Sequence, residues 1–388
     1  MSKKIAVGID IGTYQIKVVV AELLKEKNKT MPRIIGRGIS ESKGMRHGYI
    51  INQNDVIKSL EKAVNQAERS SGVKIRKAYV SIGGISLEGI TSTGSTIVTK
   101  GDYEVTEIDV QKVVDSSENN IQLLNKKIIH TIPIQFKLDD KKILGRPTGM
   151  KGKKLEVQTL FITYLRQHLE DLIQAVEAIG IEVEDIIAAP IASSIATLTK
   201  SQKIAGCILA NMGSETVSIM VFENNIPISL ETFPVGSTNI TNDIALGLKI
   251  PLEEAEKIKT GSITGASYSK KKLDEIILAR LTDIFELIEA HLKKIKRNEL
   301  LPAGIILTGG GSGIATIEDL AKAYLKLPSK IATINFINNS TSRLKDSTWT
   351  VAYGLCVFGL TTSEESNGTK MFKNMKDRTL KWLKNFSV

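Results

Sequence analysis

The sequence predicts an α/β fold of two similar lobes, with a small α+β insertion in the first lobe and an amphipathic helix at the C-terminal end. Three observations carry this expectation. Apolar runs of strand character alternate with helix-period segments along most of the 388 residues. The run Gly8-Ile9-Asp10-Ile11-Gly12-Thr13 is echoed mid-chain by Leu209-Ala210-Asn211-Met212-Gly213-Ser214, each an apolar strand, a tight glycine turn and then a second apolar strand. The stretch 83–163 breaks the alternation with several short strand-like runs, Pro133, Pro147 and the basic, glycine-rich segment 149–154.

Residues 5–9 read as a first strand and 16–21, rich in β-branched side chains, as its partner. Residues 54–70 read as a helix capped by Asn54, with Val56, Leu60, Ala63, Val64 and Ala67 at helical spacing. Residues 78–82 form another strand. Residues 169–179 form a helix with Leu172, Ile173, Val176 and Ile179 on one face. A strand pair around a turn is expected at 205–210 and 217–222. A long amphipathic helix is expected at 273–296. Residues 304–307 are a buried strand leading into Gly309-Gly310-Gly311-Ser312-Gly313, with a helix from Thr316. Residues 361–369 are a short polar linker.

At roughly 150 residues per domain the length allows two to three domains. With 42% hydrophobic and 24% charged residues, the composition is that of an ordinary globular protein. The two cysteines, Cys207 and Cys356, cannot form a disulfide framework or a four-ligand zinc site, and both lie in apolar runs that suit buried thiols. The four histidines are far apart and form no H-x-x-x-H pair, which argues against a dedicated metal enzyme. No run of about 18 apolar residues exists to span a bilayer. The apolar run before Asp10 is too short for a signal peptide, so a cytosolic protein is expected. The net charge is +10, yet six basic residues against Asp377 fall between 370 and 388, so half the excess sits in the last nineteen residues. A uniformly basic nucleic-acid binder would not concentrate charge in this way, and no nucleic-acid partner is expected.

Chemistry points to the turns. At Asp10-Ile11-Gly12-Thr13 a strand ends in a carboxylate and a tight turn aims backbone N–H groups at one point, which suits a phosphate. Asp10 can hold Mg²⁺ through water. Lys17, on the same strand face as Gln15, can reach back to a phosphate. The same residues also make a plain hairpin with Lys17 solvated. The turn Gly309-Gly310-Gly311 lets backbone approach a ligand closely, or simply turns sharply from strand to helix. Its spacing is not that of a dinucleotide-binding fingerprint.

Together the Asp-x-Gly-Thr hairpin, the second glycine hairpin and the triple-glycine turn resemble the actin superfamily, which includes sugar kinases and heat-shock chaperones. Thr241-Asn242-Asp243-Ile244-Ala245 leading into Pro251-Leu252-Glu253-Glu254-Ala255-Glu256-Lys257-Ile258-Lys259 narrows this, as does His130-Thr131-Ile132-Pro133 before Arg146-Pro147-Thr148-Gly149-Met150-Lys151-Gly152. The sequence resembles the FtsA family of bacterial cell-division actin homologues, from about Lys4 to Leu360 and in the tail. The resemblance implies a two-lobed actin-like ATPase fold with subdomain 1A at 1–82 and 164–200, an inserted subdomain 1C at 83–163, subdomain 2A at 201–238 and 303–360, subdomain 2B at 239–302, a linker at 361–369 and a membrane-targeting helix at 370–388. It implies ATP and Mg²⁺. Asp10, Gly12, Thr13 and Lys17 match the first phosphate loop, and Asn211, Gly213, Ser214, Glu215 and Thr216 occupy the second. Gly236 matches the glycine before the Thr-Asn-Asp stretch, Glu256 and Lys259 match positions facing ribose and base, and Gly309, Gly310 and Gly311 match the adenosine loop.

Departures from the family pattern bear on turnover. Where the family's second loop reads Asp-x-Gly-Gly-Gly-Thr-Thr-Asp, Asn211 replaces the first carboxylate and Glu215 puts a negative charge where bare backbone is expected; Ser237 stands for a usual glycine. Two unit charges about 4 Å apart repel by ~1 kcal/mol in water and ~4 kcal/mol at an effective dielectric of 20. Glu215 therefore opposes a triphosphate unless it turns outward or meets a cation. Nucleotide binding with weak or absent hydrolysis is expected, and no catalytic residue is assigned.

On a helical wheel Met371, Trp382, Met375, Phe386, Phe372 and Leu383 fall within about 120°. Lys373, Lys381 and Lys384 lie opposite, and Lys376 borders the stripe, where its stem can lie along apolar surface. This suits an interfacial helix on anionic lipid, or one docked on the protein itself or on a partner. The family ends in a membrane-targeting helix, and the resemblance extends the reading to a scaffold on the cytoplasmic face of the cell membrane at the division site. There the family polymerises, tethers the C-terminal peptide of FtsZ through subdomain 2B and meets later division proteins through subdomain 1C. The basic end of the long helix, Lys293-Lys294-Ile295-Lys296-Arg297, can meet an acidic peptide or simply complement the helix dipole. Two alternatives remain at this point: a PilM-like pilus-assembly relative, in which such a tail is not expected, and a small-molecule kinase, for which no base at a substrate hydroxyl is found.

Overall fold

The computed structural model describes residues 4–26, 29–262, 268–334 and 346–362. The chain opens with an antiparallel hairpin, β1 (Ile5–Ile11) and β2 (Gln15–Glu26), in which Asp10 lies opposite Lys17. β3 (Lys29–Glu41) pairs with the far side of β2, and the two-residue strands β4 (Met45–Arg46) and β5 (Tyr49–Ile50) form a small ribbon. Helix α1 (Gln53–Ser71) is capped by Asn52, whose side chain accepts the Asp55 N–H at 3.3 Å. The sequence-based cap, Asn54, instead lies inside the first turn. Gln53 and Asn54 can be helical, and Asp55 is then placed to complement the helix dipole. β6 (Lys77–Ile82) runs parallel to β1.

The insertion follows as β7 (Glu88–Ile97), α2 (Glu107–Asn119), β8 (Lys126–Leu138), β9 (Lys141–Ile143) and β10 (Lys154–Leu165), with strand order β7-β10-β8-β9. It has its own core, in which Val98, Val113, Phe136, Leu155 and Val157 pack together. Thr106 and Asp109 close a capping box at the start of α2. The chain then returns to the first lobe through α3 (Arg166–Glu177) and β11 (Glu182–Ala188), completing the sheet order β11-β6-β1-β2-β3. His130 ties the insertion to this sheet: its Nε2 accepts the Ala188 N–H at 3.1 Å.

Helices α4 (Ala189–Thr197) and α5 (Lys200–Ala205) lead into the second lobe. Its sheet contains β12 (Cys207–Met212), β13 (Val217–Glu223) and β14 (Ile226–Phe233). After α6 (Ser237–Leu248), α7 (Leu252–Lys259) and α8 (Lys270–Lys294) come β15 (Ile305–Thr308), α9 (Ile317–Leu325) and β16 (Ser329–Ile331). Strand order is β14-β13-β12-β15-β16. The long helix is pinned to the edge strand β14: His291 Nε2 lies 2.7 Å from Ser229 Oγ, and its Nδ1 lies 3.3 Å from Glu231 Oε2. Arg297 forks onto Glu223, with one nitrogen at 3.0 Å. The opposite side of β14 meets the insertion, where a Cβ on Gly89 would come within 2.8 Å of the Leu230 carbonyl oxygen.

Helix α10 (Thr350–Thr362) returns to the first lobe. It is apolar on every side and buried from Thr350 to Cys356, as an interior helix must be. It crosses α4 with backbone touching backbone: a Cβ on Gly354 would sit 1.8 Å from the Ala192 carbonyl oxygen. Both cysteines are buried as expected, and burial pushes both thiols up in pKa, Cys207 to about 12.

Two measurements follow from this packing. Gly354→Ala must push α10 off α4, so we expect a loss of about 2 kcal/mol by overpacking, read as a lower urea midpoint at unchanged slope. Burial lowers the His130 pKa to about 3. The unfolded chain protonates this group near pH 6.5 while the folded chain does not, so its contribution is present above pH 6.5 and is lost as pH falls toward 3. In His130→Gln, whose amide oxygen can still accept, unfolding free energy should fall less steeply over that range, by up to about 1.4 kcal/mol per pH unit.

Candidate functional site

The two lobes present the same loop to one cleft. In the first, the Gly12 N–H donates to the Gln15 carbonyl at 3.2 Å; in the second, the Gly213 N–H donates to the Thr216 carbonyl at 2.8 Å. Asp10 faces Lys17 across its hairpin, and Asn211 faces Ser218 across the other. Among the described residues, the N–H groups of Thr13, Ser214 and Glu215 make no hydrogen bond. Such turns can receive an anion.

Charge is distributed unequally between the loops. Ser81 Oγ donates to Asp10 Oδ1 at 2.7 Å. Burial raises the Asp10 pKa, against the lowering effects of Lys17 and Ser81. Burial likewise lowers that of Lys17, against the raising effects of Asp10 and Asp346. Lys17 is buried, so it sits within reach of two carboxylates rather than in solvent. Ser81 and Asp346 were not singled out from sequence. For Asp346 a signal existed: it caps the turn before α10, accepting the Thr348 N–H at 2.9 Å.

The third wall is the glycine turn after β15. Gly309 has φ 86°, and a Cβ there would lie 2.6 Å from Asn211 Oδ1, so only glycine lets this turn rest on the second loop. A Cβ on Gly310 meets nothing within 4 Å, and Gly311 backs onto Met212 and Ser237. Ser312 Oγ lies 2.9 Å from Ser347 Oγ, joining the turn to the start of α10. The N-terminus of α6 is stitched to the second loop, with Ser237 N–H donating to the Gly213 carbonyl at 3.0 Å and Thr238 N–H to that of Ser214 at 2.8 Å. Gly236, just before it, packs on Ser214. Glu256 and Lys259 reach the same end of α6 as an ion pair of 2.7 Å, with Thr241 Oγ1 donating to Glu256 at 2.6 Å and Lys259 to the Ser237 carbonyl at 3.2 Å.

Glu215 is turned across the cleft. Its carboxylate accepts the N–H of His47 and lies 3.7 Å from His47 Nδ1. Thr13 Oγ1 accepts the neighbouring Gly48 N–H at 3.2 Å. No sequence signal marked His47, because its partner is 168 residues away. Among the described residues no group of three or more His, Cys, Asp or Glu side chains could hold a metal ion. The tail positions Met371, Phe372, Lys373, Met375, Lys376, Lys381, Trp382, Leu383, Lys384 and Phe386 lie outside the described residues. No described helix is long and apolar enough to cross a membrane.

Known proteins resemble the chain in sequence and in fold. The family model for cell division protein FtsA matches residues 208–354, and that for the SHS2 domain inserted in FtsA matches residues 84–163. The chain is 30% identical to the cell division protein FtsA of Borreliella burgdorferi, over 92% of this chain and 91% of that protein. It is also 30% identical to that of Bacillus subtilis, over 92% and 84%. Among solved structures, the PilM-PilN type IV pilus biogenesis complex contains a chain with a TM-score of 0.68 at 15% identity, over 92% of this chain and 98% of that one. An MreB of Spiroplasma citri bound to ADP has a TM-score of 0.53 at 12% identity, over 94% and 99%. These structures share the actin-like ATPase fold, whereas the curated relatives share sequence across nearly the whole chain, and the chain belongs to the FtsA family of cell division proteins.

Proposed function

We propose that the protein is a division-site scaffold that binds ATP between its lobes and tethers FtsZ to the cytoplasmic face of the membrane. The observation that carries the nucleotide part is the pair of matching glycine loops, one from each lobe, closed by the Gly309 turn. The site suits a nucleotide in three respects. The N–H groups of Thr13 and Ser214 make no hydrogen bond among the described residues and can take phosphate oxygens. Gly310 leaves space beside it for a flat ring. Glu256 and Lys259 stand at the adjoining wall, where they can meet ribose and base.

Asp10 is the carboxylate available to Mg²⁺ through water, which would supply charge neutralisation at the phosphates. Lys17 already balances Asp10, and Asn211 contributes no second carboxylate. Hydrolysis is therefore slow in this reading. Polymerisation through lobe contacts, FtsZ peptide binding through residues 239–302, and contact of later division proteins with residues 83–163 come from the family. Membrane attachment rests on the amphipathic pattern of residues 370–388.

Phosphate release from the purified chain is expected below about 1 s⁻¹, and steady turnover at or above that rate would overturn the slow-hydrolysis reading. Asn211→Asp combined with Glu215→Gly should tighten ATP binding by calorimetry; no gain counts against this account of the second loop. Co-sedimentation with anionic vesicles tests the tether: the full chain should pellet and a chain ending at Gly368 should not. Equal behaviour of the two removes the tail from the mechanism, and increased pelleting with Mg·ATP would couple the cleft to assembly.

A further inference from the structure

We infer that Glu215 is an anionic strut that closes the cleft from within and makes it hold a nucleoside diphosphate more tightly than a triphosphate. This rests on the nucleotide reading above and deepens it. Glu215 belongs to the phosphate-type turn of the second lobe, yet its carboxylate ends on His47 of the first lobe.

The receiving end is built to stay in place. The His47 carbonyl accepts the Ile85 N–H at 3.1 Å, and Gly48 donates to Thr13 at 3.2 Å. Tyr164 donates its hydroxyl to the Gly83 carbonyl at 2.9 Å and lies 3.3 Å from that of Gly48. Gly48 has φ 85° and lies so near Gly84 that a Cβ would come within 2.4 Å of the Gly84 Cα. His47 itself has φ 49°, a left-handed conformation uncommon outside glycine. Its Nδ1 is buried without a hydrogen bond, facing the carboxylate at 3.7 Å. The first lobe thus presents a fixed N–H, and Glu215 reaches it.

The partner loop makes the consequence electrostatic. Thr13, which holds Gly48, is also the residue whose N–H would meet a phosphate. A carboxylate bridging the second loop to the His47–Gly48 turn, which Thr13 of the first loop holds, already supplies the negative charge that a terminal phosphate would bring to that gap. Two phosphates can use the loop N–H groups, while a third must approach Glu215 or displace it from His47, parting the lobes. Like charges at short range in a partly buried gap repel strongly. Glu215 therefore selects against the third phosphate, and release of the strut accompanies its entry.

The test uses the full chain, calorimetry with Mg·ADP and Mg·ATP, and an interlobe distance. Nitroxide labels at Lys62→Cys and Lys322→Cys report the distance, both positions being exposed while the native cysteines are buried. Wild type should bind ADP at least about tenfold more tightly than ATP, a factor equal to ~1.4 kcal/mol. Glu215→Gly should lose that preference and, without nucleotide, show a longer or broader interlobe distance. Glu215→Gln, which can still accept from His47 but carries no charge, should lose the preference and keep the distance. Equal ADP and ATP affinity in wild type overturns the selection and leaves the nucleotide reading standing. An interlobe distance unchanged by Glu215→Gly overturns the strut. Failure of all three proteins to bind either nucleotide overturns the nucleotide reading and the selection with it.

Discussion

The crossing of α4 and α10 is the constraint from which the two-lobed architecture follows. Gly354 lies against the Ala192 carbonyl with no side chain between them. Contacts of this kind have little slack, since close-packed interiors transmit a change of position rather than absorb it. α10 also rests on β1, where Gly8 meets the Ala352 carbonyl; its first residue, Thr350, bonds Thr308 at the end of β15, and Ser347 just before it bonds Ser312 of the glycine turn. One helix thus sets the seat of the first sheet, the orientation of the second lobe and the position of the third cleft wall.

Within that frame the two lobes repeat a shape without repeating its charge. The hairpins match in turn hydrogen bond and strand register. The first carries a half-buried carboxylate and a buried ammonium, and the second carries an amide and a hydroxyl at the equivalent places. The asymmetry is one of charge: the first hairpin pairs two ionisable side chains, and the second places two neutral hydrogen-bonding groups there. The single carboxylate of the second loop is spent on the first lobe.

What was legible in the sequence follows from how far apart interacting residues lie. The hairpins at Asp10 and Asn211, helix α1 and helix α8 announce themselves by strand-turn-strand or helical spacing, because each is organised by neighbours in sequence. Helices α4 and α10 have no polar face to create a period; they are buried nearly all round and read only as apolar runs. The glycine turns of the cleft were visible as glycines. His47 and Ser81 were not, since neither has a distinctive local pattern and each acquires its role from a residue in a distant segment.

Strand β14 has a further consequence, mechanical in kind. It is gripped on one side by α8, through Ser229 and His291, and on the other by the insertion, where Leu230 meets Gly89. Arg297 clamps the adjoining hairpin at Glu223. A pull on α8 therefore does not stop at the second lobe. It loads a short chain of side-chain bonds in series with one sheet edge and arrives at the insertion without crossing the cleft. The molecule therefore has a route for force from α8 to the insertion that does not pass through the glycine loops.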